Sequence, residues 1–413
     1  MILALLVPFY LSRFLSLESL SIIAVSVTFT WFHISLALRM CFFPVTFRGC
    51  DSGHIRLGWE GIVPRKARKM AQKSCDLIVD RLIFVDRVLD RIDGEATWRF
   101  IDSLGIGKEV FARMLEKNIF SMFPSRSKKR QGVVSRLVCV RFIKELIAFL
   151  KDRSVFNVSE MIIDEFTTKK QLLVDLFTRV GAKELVIIER SGIVMGVLCG
   201  LCQLILYNTK QEGVNSYLLF SMTGIVIGLV TNWISLFVIF NPIEPISLKR
   251  FNLTFHSLFL KRQEEVSRLY SRIVTESVLN CEQVILHLKS KGKWDSIIAL
   301  FNQILHDEIR HEVVSTFSLV PSGTQQRLIE FLVAESQGLI ASQSSYIAQQ
   351  LVPFIESQIQ LESQLYISLI NLSYAEFDGI LHPVFQEDEG TLIILGGVLG
   401  ALVGLVQVWL FHL

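Results

Sequence analysis

Hydrophobic positions along this chain fall into two regimes. Four stretches are long and nearly free of charge: residues 19–43, 191–208, 217–240 and 391–413. An α-helix rises about 1.5 Å per residue, so roughly 18–20 apolar residues cross a hydrocarbon core about 30 Å thick. All four stretches reach that length, with 191–208 at the lower limit. The third, "YLLFSMTGIVIGLVTNWISLFVIF", carries no charge, and the second holds Gln203 as its largest polar group. Elsewhere apolar residues recur every three to four positions with charges between them, as in "KARKMAQKSCDLIVDRLIFVDRVLDRI" and "RQEEVSRLYSRIVTESVLNCEQVILHL". That period predicts amphipathic helices. The helical pattern from residue 328 onward is expected to be interrupted at Pro353. Residues 47–64, "FRGCDSGHIRLGWEGIVP", hold four Gly and a terminal Pro and predict a turn-rich segment just outside the membrane. Residues 1–18 are apolar but broken by Pro8 and Arg13, and are expected to lie at the interface rather than to span. With no positive segment ahead of the apolar run and Glu18 behind it, they do not read as a cleaved signal peptide.

The expected fold class is therefore an all-α polytopic membrane protein with an internal duplication. Four transmembrane helices carry two helical cytoplasmic domains, 44–190 and 241–390. Composition agrees: 51% of residues are hydrophobic and the mean hydropathy is +0.46, while 20% are charged. Apolar residues must then be concentrated in a few segments. Four spans put both large regions on one side. The first region opens with Arg48, Arg56, Arg65, Lys66, Arg68 and Lys69, the second with Lys249, Arg250, Lys261 and Arg262, whereas the other side offers Arg13 and Lys210. The excess of Lys and Arg assigns the large regions to the cytoplasm, and the chain to the inner membrane. Region 44–190 has a net charge of +9 and region 241–390 of −7. Opposite signs predict attraction within the chain. The alternative is a basic half that meets anionic lipid headgroups.

"GVLCGLCQ" (196–203) contains a C-x-x-C, the spacing of a redox dithiol. Shifted by 204 residues it overlays "GALVGLVQ" (400–407). Gly192, Gly196, Gly200 and Gln203 fall on Gly396, Gly400, Gly404 and Gln407, while Cys199 and Cys202 fall on Val403 and Val406. A Gly every four residues makes a stripe along which another helix can approach closely. The two Cys then read as small apolar residues, not as redox groups. A shift of 198 overlays "LALRMCFFP" on "ISLFVIFNP", matching Pro44 to Pro242. A shift of 196 matches Arg65 and Lys66 to Lys261 and Arg262. Each half reads as span, Pro exit, basic amphipathic helix, helical domain and Gly-striped span, which predicts a parallel pseudo-two-fold about the membrane normal.

"GLVTNWISLFVIFNPIEP", "LGWEGIVPRKARKMA", "LFLKRQEEVSRLYSRIV", "ERSGIVMGVLCGLCQ" and "LHPVFQEDEGTLIILGGVLGALVGLVQ" together resemble the bacterial membrane proteins of the domain of unknown function 445 family (DUF-445). The resemblance runs from about residue 20 to the end. It implies an integral membrane protein and no established reaction. In that family the first span usually repeats the Thr-Asn-Trp found here at Thr231, Asn232 and Trp233. This chain has His33, Ile34 and Ser35 there, so the motif rests on the second half.

Candidate chemistry is sparse. Thr231, Asn232 and Trp233 lie mid-span, where an amide must find hydrogen-bond partners. Gln203 and Gln407 are the expected partners of Asn232. His382, Glu387, Asp388 and Glu389 precede the last span. They form either a weak cation site of hard oxygens or, the favoured reading, an acidic edge facing Lys183 or Arg190. "HDEIRHE" spaces His306 and His311 by five, about 140° around a helix, which excludes a shared metal face. "SRSKKRQG" (125–132) reads as a basic loop. No phosphate-binding loop, nucleophile elbow, dinucleotide fingerprint or nucleic-acid-binding pattern is present, and no cofactor is implied. The expected function is non-enzymatic, a membrane-anchored scaffold or structural module. The alternative is a transporter or lipid-handling protein that uses the helix bundle or a groove between the two domains. The expected partner is the lipid bilayer, with anionic lipid headgroups at the basic juxtamembrane segments as a further candidate; no nucleic acid is expected, and no protein partner is named by the sequence.

Overall fold

The computed structural model describes residues 17–51, 56–77, 79, 85–105, 127–209, 215–248, 253–386 and 389–411. The interfacial segment 1–18 lies almost wholly outside the described residues, as do Arg13, Lys210, Lys249, Arg250, Glu387 and Asp388. In chain order the first half gives α1 (Leu17–Phe42), β1 (Arg48–Asp51), β2 (Arg56–Trp59), α2 (Ile62–Arg65), α3 (Ala67–Leu77), α4 (Val85–Leu89), α5 (Gly94–Ser103), α6 (Ser127–Lys151), α7 (Val158–Thr168), α8 (Lys170–Val180) and α9 (Ala182–Thr209). The second gives α10 (Ser216–Phe240), β3 (Ile246–Leu248), β4 (Leu253–Phe255), a 3-10 turn (Leu260–Arg262), α11 (Gln263–Ser277), α12 (Cys281–Ser290) and α13 (Trp294–Thr316). It ends with α14 (Ser322–Ile359), α15 (Leu361–Ile370), α16 (Tyr374–Gln386) and α17 (Glu389–Phe411).

The fold is mostly helical, and α1, α9, α10 and α17 are long and apolar enough to cross a membrane. Helix α9 begins at Ala182, nine residues before the apolar stretch. Lys183, Glu184, Glu189 and Arg190 sit on its first turns, so hydropathy marked the apolar part and not the helix end. Two elements differ from expectation for local reasons. Residues 127–132 of the basic stretch are the first turns of α6 rather than a loop. Pro353 lies inside α14, which continues to Ile359 and ends where Gln360 turns left-handed at φ 50°. Pro removes one backbone bond, and at this exposed position the helix runs on regardless.

The turn-rich segment after the first apolar helix contains an antiparallel hairpin, with Arg48 opposite Trp59 and Asp51 opposite Arg56. A second hairpin follows α10, with Ile246 opposite Phe255. Both are preceded by a cis peptide bond, Phe43–Pro44 and Asn241–Pro242. After each hairpin the chain returns to its proline: Gly61 N–H donates to Pro44 O (2.9 Å) and Ser257 N–H to Pro242 O (3.0 Å). Trp59 Nε1 donates to Met40 O at 3.1 Å and ties the first hairpin to the end of α1.

The chain forms two compact units. One comprises residues 1–78, 163–273 and 366–413, the other 79–162 and 274–365. Each unit therefore draws on both halves, and the contiguous regions 44–190 and 241–390 are each divided between the two. The first unit holds the four apolar helices. It also holds a layer centred on Ile62, Ala71, Leu173, Val174, Phe177, Leu260, Val266, Tyr270 and Phe377, all buried. In the second unit Val138 of α6 packs with Ile304, Leu305, Ile309 and Val313 of α13 and Ile329 of α14. Phe142 meets Phe301 edge-on, and Phe100 stacks on Phe354 at 4.1 Å. Ion pairs join the two sequence regions inside this unit in both senses: Arg141 of the basic region bonds Glu308 at 2.9 Å, whereas Lys291 of the acidic region bonds Glu160 at 2.6 Å, with the signs reversed.

Candidate functional site

The four apolar helices pack as two close pairs, α1 with α9 and α10 with α17, and glycine sets the distance. A Cβ placed on Gly196 would lie 2.6 Å from the Cα of Val27, and one on Gly200 would lie 2.9 Å from that of Ile23. Gly192 faces Thr30 and Trp31 of α1. The second pair is tighter. A Cβ on Gly228 would fall 2.0 Å from Gly396 O, one on Gly400 2.0 Å from Gly224 O, and one on Gly404 2.2 Å from Phe220 O. Such contact is backbone on backbone, where dispersion between close-packed atoms holds the helices together. Sequence reasoning found the stripes on α9 and α17 but missed Gly224 and Gly228. The signal was present as the same four-residue spacing in "TGIVIGLV".

Polar groups line the seam between these helices. Gln203 of α9 and Gln407 of α17 exchange amides: Gln203 Nε2 donates to Gln407 Oε1 (3.0 Å) and Gln407 Nε2 to Gln203 Oε1 (3.2 Å). Both are buried. Asn232 was expected to bond these two glutamines. It donates instead from Nδ2 to Leu392 O at 2.7 Å, because the Gly228–Gly396 contact brings the first turn of α17 beneath its amide. Thr231 Oγ1 donates to Ile227 O and Ser235 Oγ to Thr231 O, both within α10. Trp233 points outward, 54% exposed, and leans on Phe237. Cys199 is buried beside Thr231 whereas Cys202 is exposed, and both thiols are free. In α1 the imidazole of His33, at the position matching Thr231, is 3% exposed, and its Nε2 has no hydrogen-bond partner among the described residues.

At the chain's entry to α17, His382 does not face Lys183 or Arg190. Its Nδ1 meets Asp378 Oδ2 at 2.8 Å and its Nε2 meets Glu389 Oε1 at 3.1 Å. Its ring stacks on Phe240, the last residue of α10, at 4.3 Å. Two carboxylates accept from two ring nitrogens, an arrangement that only imidazolium satisfies fully. Burial pushes the His382 charge off, but Asp378 and Glu389 outweigh it and hold its pKa above the ordinary 6.5. With both nitrogens engaged, His382 has no lone pair to give a cation. Among the described residues no group of three His, Cys, Asp or Glu side chains can hold a metal. Glu387 and Asp388 of the expected acidic edge lie outside the described residues, and Lys183 bonds Glu265 at 2.7 Å.

That bond belongs to a cluster which sequence reasoning missed. Arg262 Nη1 donates to Glu184 Oε1 at 2.5 Å, with the Glu184 side chain 4% exposed. Arg262 also bonds Glu265, and Arg262 and Lys183 hold the Glu265 carboxyl down at about 2. Gln263 next door donates to the carbonyls of Leu369 and Leu372. The base of α9, the start of α11 and the end of α15 are thus joined by charge and hydrogen bonds. The second unit has a shallow cleft of about 360 Å³ between α5 and α6, and part of its charged rim is paired: Lys151 with Asp90, and Glu95 with Arg136. Comparison of the chain with known protein families, with curated proteins and with solved structures yields no match.

Proposed function

We propose that this chain is an internally duplicated, polytopic inner-membrane protein that serves as a non-enzymatic, membrane-anchored scaffold, its helical mass on the cytoplasmic side. The observation that carries the reading is the closed seam. The helices touch backbone to backbone, and Gln203, Gln407, Thr231, Asn232 and Ser235 each find a hydrogen-bond partner within the bundle. A bundle built in this way anchors; a conduit needs polar groups left for its cargo. Internal duplication is supported by the two proline-marked exits, each with its hairpin and its bond back to the proline carbonyl. The motifs shared with the DUF-445 family support the same membrane reading.

Gentle purification with identification of what remains bound tests the function. A stable protein partner supports the scaffold; one bound lipid per chain held in the bundle favours lipid handling. The second reading has one observation in its favour, the buried and unpartnered Nε2 of His33. Cytoplasmic placement is tested with Cys50, which is exposed on β1. In a Cys50-only variant a membrane-impermeant thiol reagent reacts only after the cells are permeabilised; reaction in intact cells rejects the placement. Cys139 and Cys281 are poorer reporters, since burial and neighbouring Glu95 or Glu356 push their thiols up to about 11 and about 12.

A further inference from the structure

The two halves leave their apolar helices in the same way and then present opposite surfaces. Gly61 lies against the end of α1: its N–H bonds Pro44 O, and a Cβ on it would sit 2.7 Å from the Phe42 carbonyl carbon. Lys69 follows Gly61 by eight residues. At roughly 1.5 Å per residue it is no more than about 15 Å from the end of α1, whichever way α2 and α3 run. Headgroup layers occupy about 5–8 Å beyond the hydrocarbon, and the Debye length adds about 8 Å. Residues 65–69 carry four positive charges and no negative one, and Arg65, Arg68 and Lys69 are exposed. The opposite face of this stretch, Ile62, Val63, Ala67, Met70 and Ala71, is buried against protein. Arg39 in the last turn of α1 and Arg48 on β1 are exposed beside it.

The matching stretch of the second half begins at Ser257, which bonds Pro242 O as Gly61 bonds Pro44 O. Residues 261–265 carry two positive and two negative charges. Glu264 and Glu265 stand where the first half has Arg68 and Lys69. Arg262 is turned inward to Glu184, and Glu265 is taken by Arg262 and Lys183. One exit therefore carries a run of four positive charges, and the other is neutral in sum.

We infer that the Arg65–Lys69 face, flanked by Arg39 and Arg48, is a docking surface for anionic lipid headgroups, and that it makes the duplicated protein bind such lipids on one side only of its pseudo-two-fold. The inference rests on the membrane reading above. A juxtamembrane basic residue favours an anionic surface by about fivefold. Removing three of these charges therefore weakens the preference severalfold at low salt, and by less as salt rises.

The test uses the full chain in nanodiscs of equal parts phosphatidylglycerol and phosphatidylcholine. The chain is extracted in mild detergent, and its retained lipids are counted by mass spectrometry. The expected result is severalfold enrichment of phosphatidylglycerol, falling to parity in R65Q/R68Q/K69Q and unchanged in K261Q. Wild-type protein washed in 0.5 M salt must also move toward parity, which tests the inference even if the triple variant misfolds. No enrichment in the wild type, or full enrichment in the folded triple variant or at high salt, overturns it. A chain that does not enter nanodiscs at all refutes the membrane reading instead.

Discussion

Replacing Gly228 by Ala adds one methyl group at one of the two closest glycine contacts among the described residues. That methyl would sit 2.0 Å from Gly396 O and 2.7 Å from the carbonyl carbon behind it. Ordinary carbon–oxygen contact begins near 3.4 Å, so α10 and α17 must part locally by about 1.4 Å. Neither obstacle can swing aside, because both are backbone. Overpacking of this kind costs roughly 1–3 kcal/mol. The same parting stretches the 2.7 Å bond from Asn232 to Leu392 O beyond hydrogen-bonding range. An interhelical bond in a membrane protein adds about 0.6 kcal/mol, at most about 1.7. The expected loss is about 2–4 kcal/mol, measured by reversible denaturation in mixed micelles or by steric trapping. Gly338→Ala is the control. That glycine is exposed on α14 with no atom near its Cβ, and the change should stabilise by about 0.5–1 kcal/mol through helix propensity. If Gly228→Ala matches this control within 0.5 kcal/mol, backbone contact does not hold the second pair together.

Three further outcomes follow from the same geometry. Gln203→Leu leaves the Gln407 amide buried and alone and should cost about 1 kcal/mol, as should Gln407→Leu; the double change should cost less than their sum, and an additive cycle would deny the amide pair. Arg262→Gln strips the buried Glu184 carboxylate of its cation and should cost about 3 kcal/mol by the same denaturation assay, whereas a loss under 1 kcal/mol would mean that Glu184 is not held as an ion. His382 has a folded pKa raised above 6.5, so its contribution is fully present below pH 6.5 and is lost as pH rises through the folded value. Melting curves from pH 5 to 9 should show that decline in the wild type and not in His382→Gln, and equal declines in both would remove His382 from the effect.

Hydropathy found all four apolar helices because the pattern it reads, a long absence of charge, is the property that a hydrocarbon solvent demands. It misplaced the start of α9 for the same reason: Lys183, Glu184, Glu189 and Arg190 put four charges on helical residues around the apolar Leu185 to Ile188. The glycine stripes of α9 and α17 were visible because the same spacing recurs 204 residues later, although they meet α1 and α10 rather than each other; the pairing of Gln203 with Gln407 was not foreseen, since both were assigned to Asn232. The hairpins were not visible. Strands of three or four residues such as "RGCD" carry no alternation, and their identity lies in what stands opposite. Asn232 was recognised as needing a partner, but a backbone carbonyl such as Leu392 O has no sequence signature. The same holds for the Arg262–Glu184 pair, whose members are 78 residues apart. Nor does local periodicity report that segments 79–162 and 274–365 share a core, because each merely presents an apolar face.

That shared core sets a schedule for synthesis. Val138 belongs to a cluster whose other buried members, Ile304 to Ile329, are translated much later. The first segment is finished at residue 162 and the second at residue 365, with α9 and α10 made in between. At about 5–20 residues per second the first segment waits roughly 10–40 s for its partner. During that wait the apolar face of α6 is uncovered while the ribosome delivers two of the most hydrophobic helices. The first segment must therefore be shielded by a chaperone or remain unfolded until the chain is nearly complete. Ribosome-bound chains truncated after residue 270 should be protease-sensitive throughout 79–162, and chains extended past 365 should be protected.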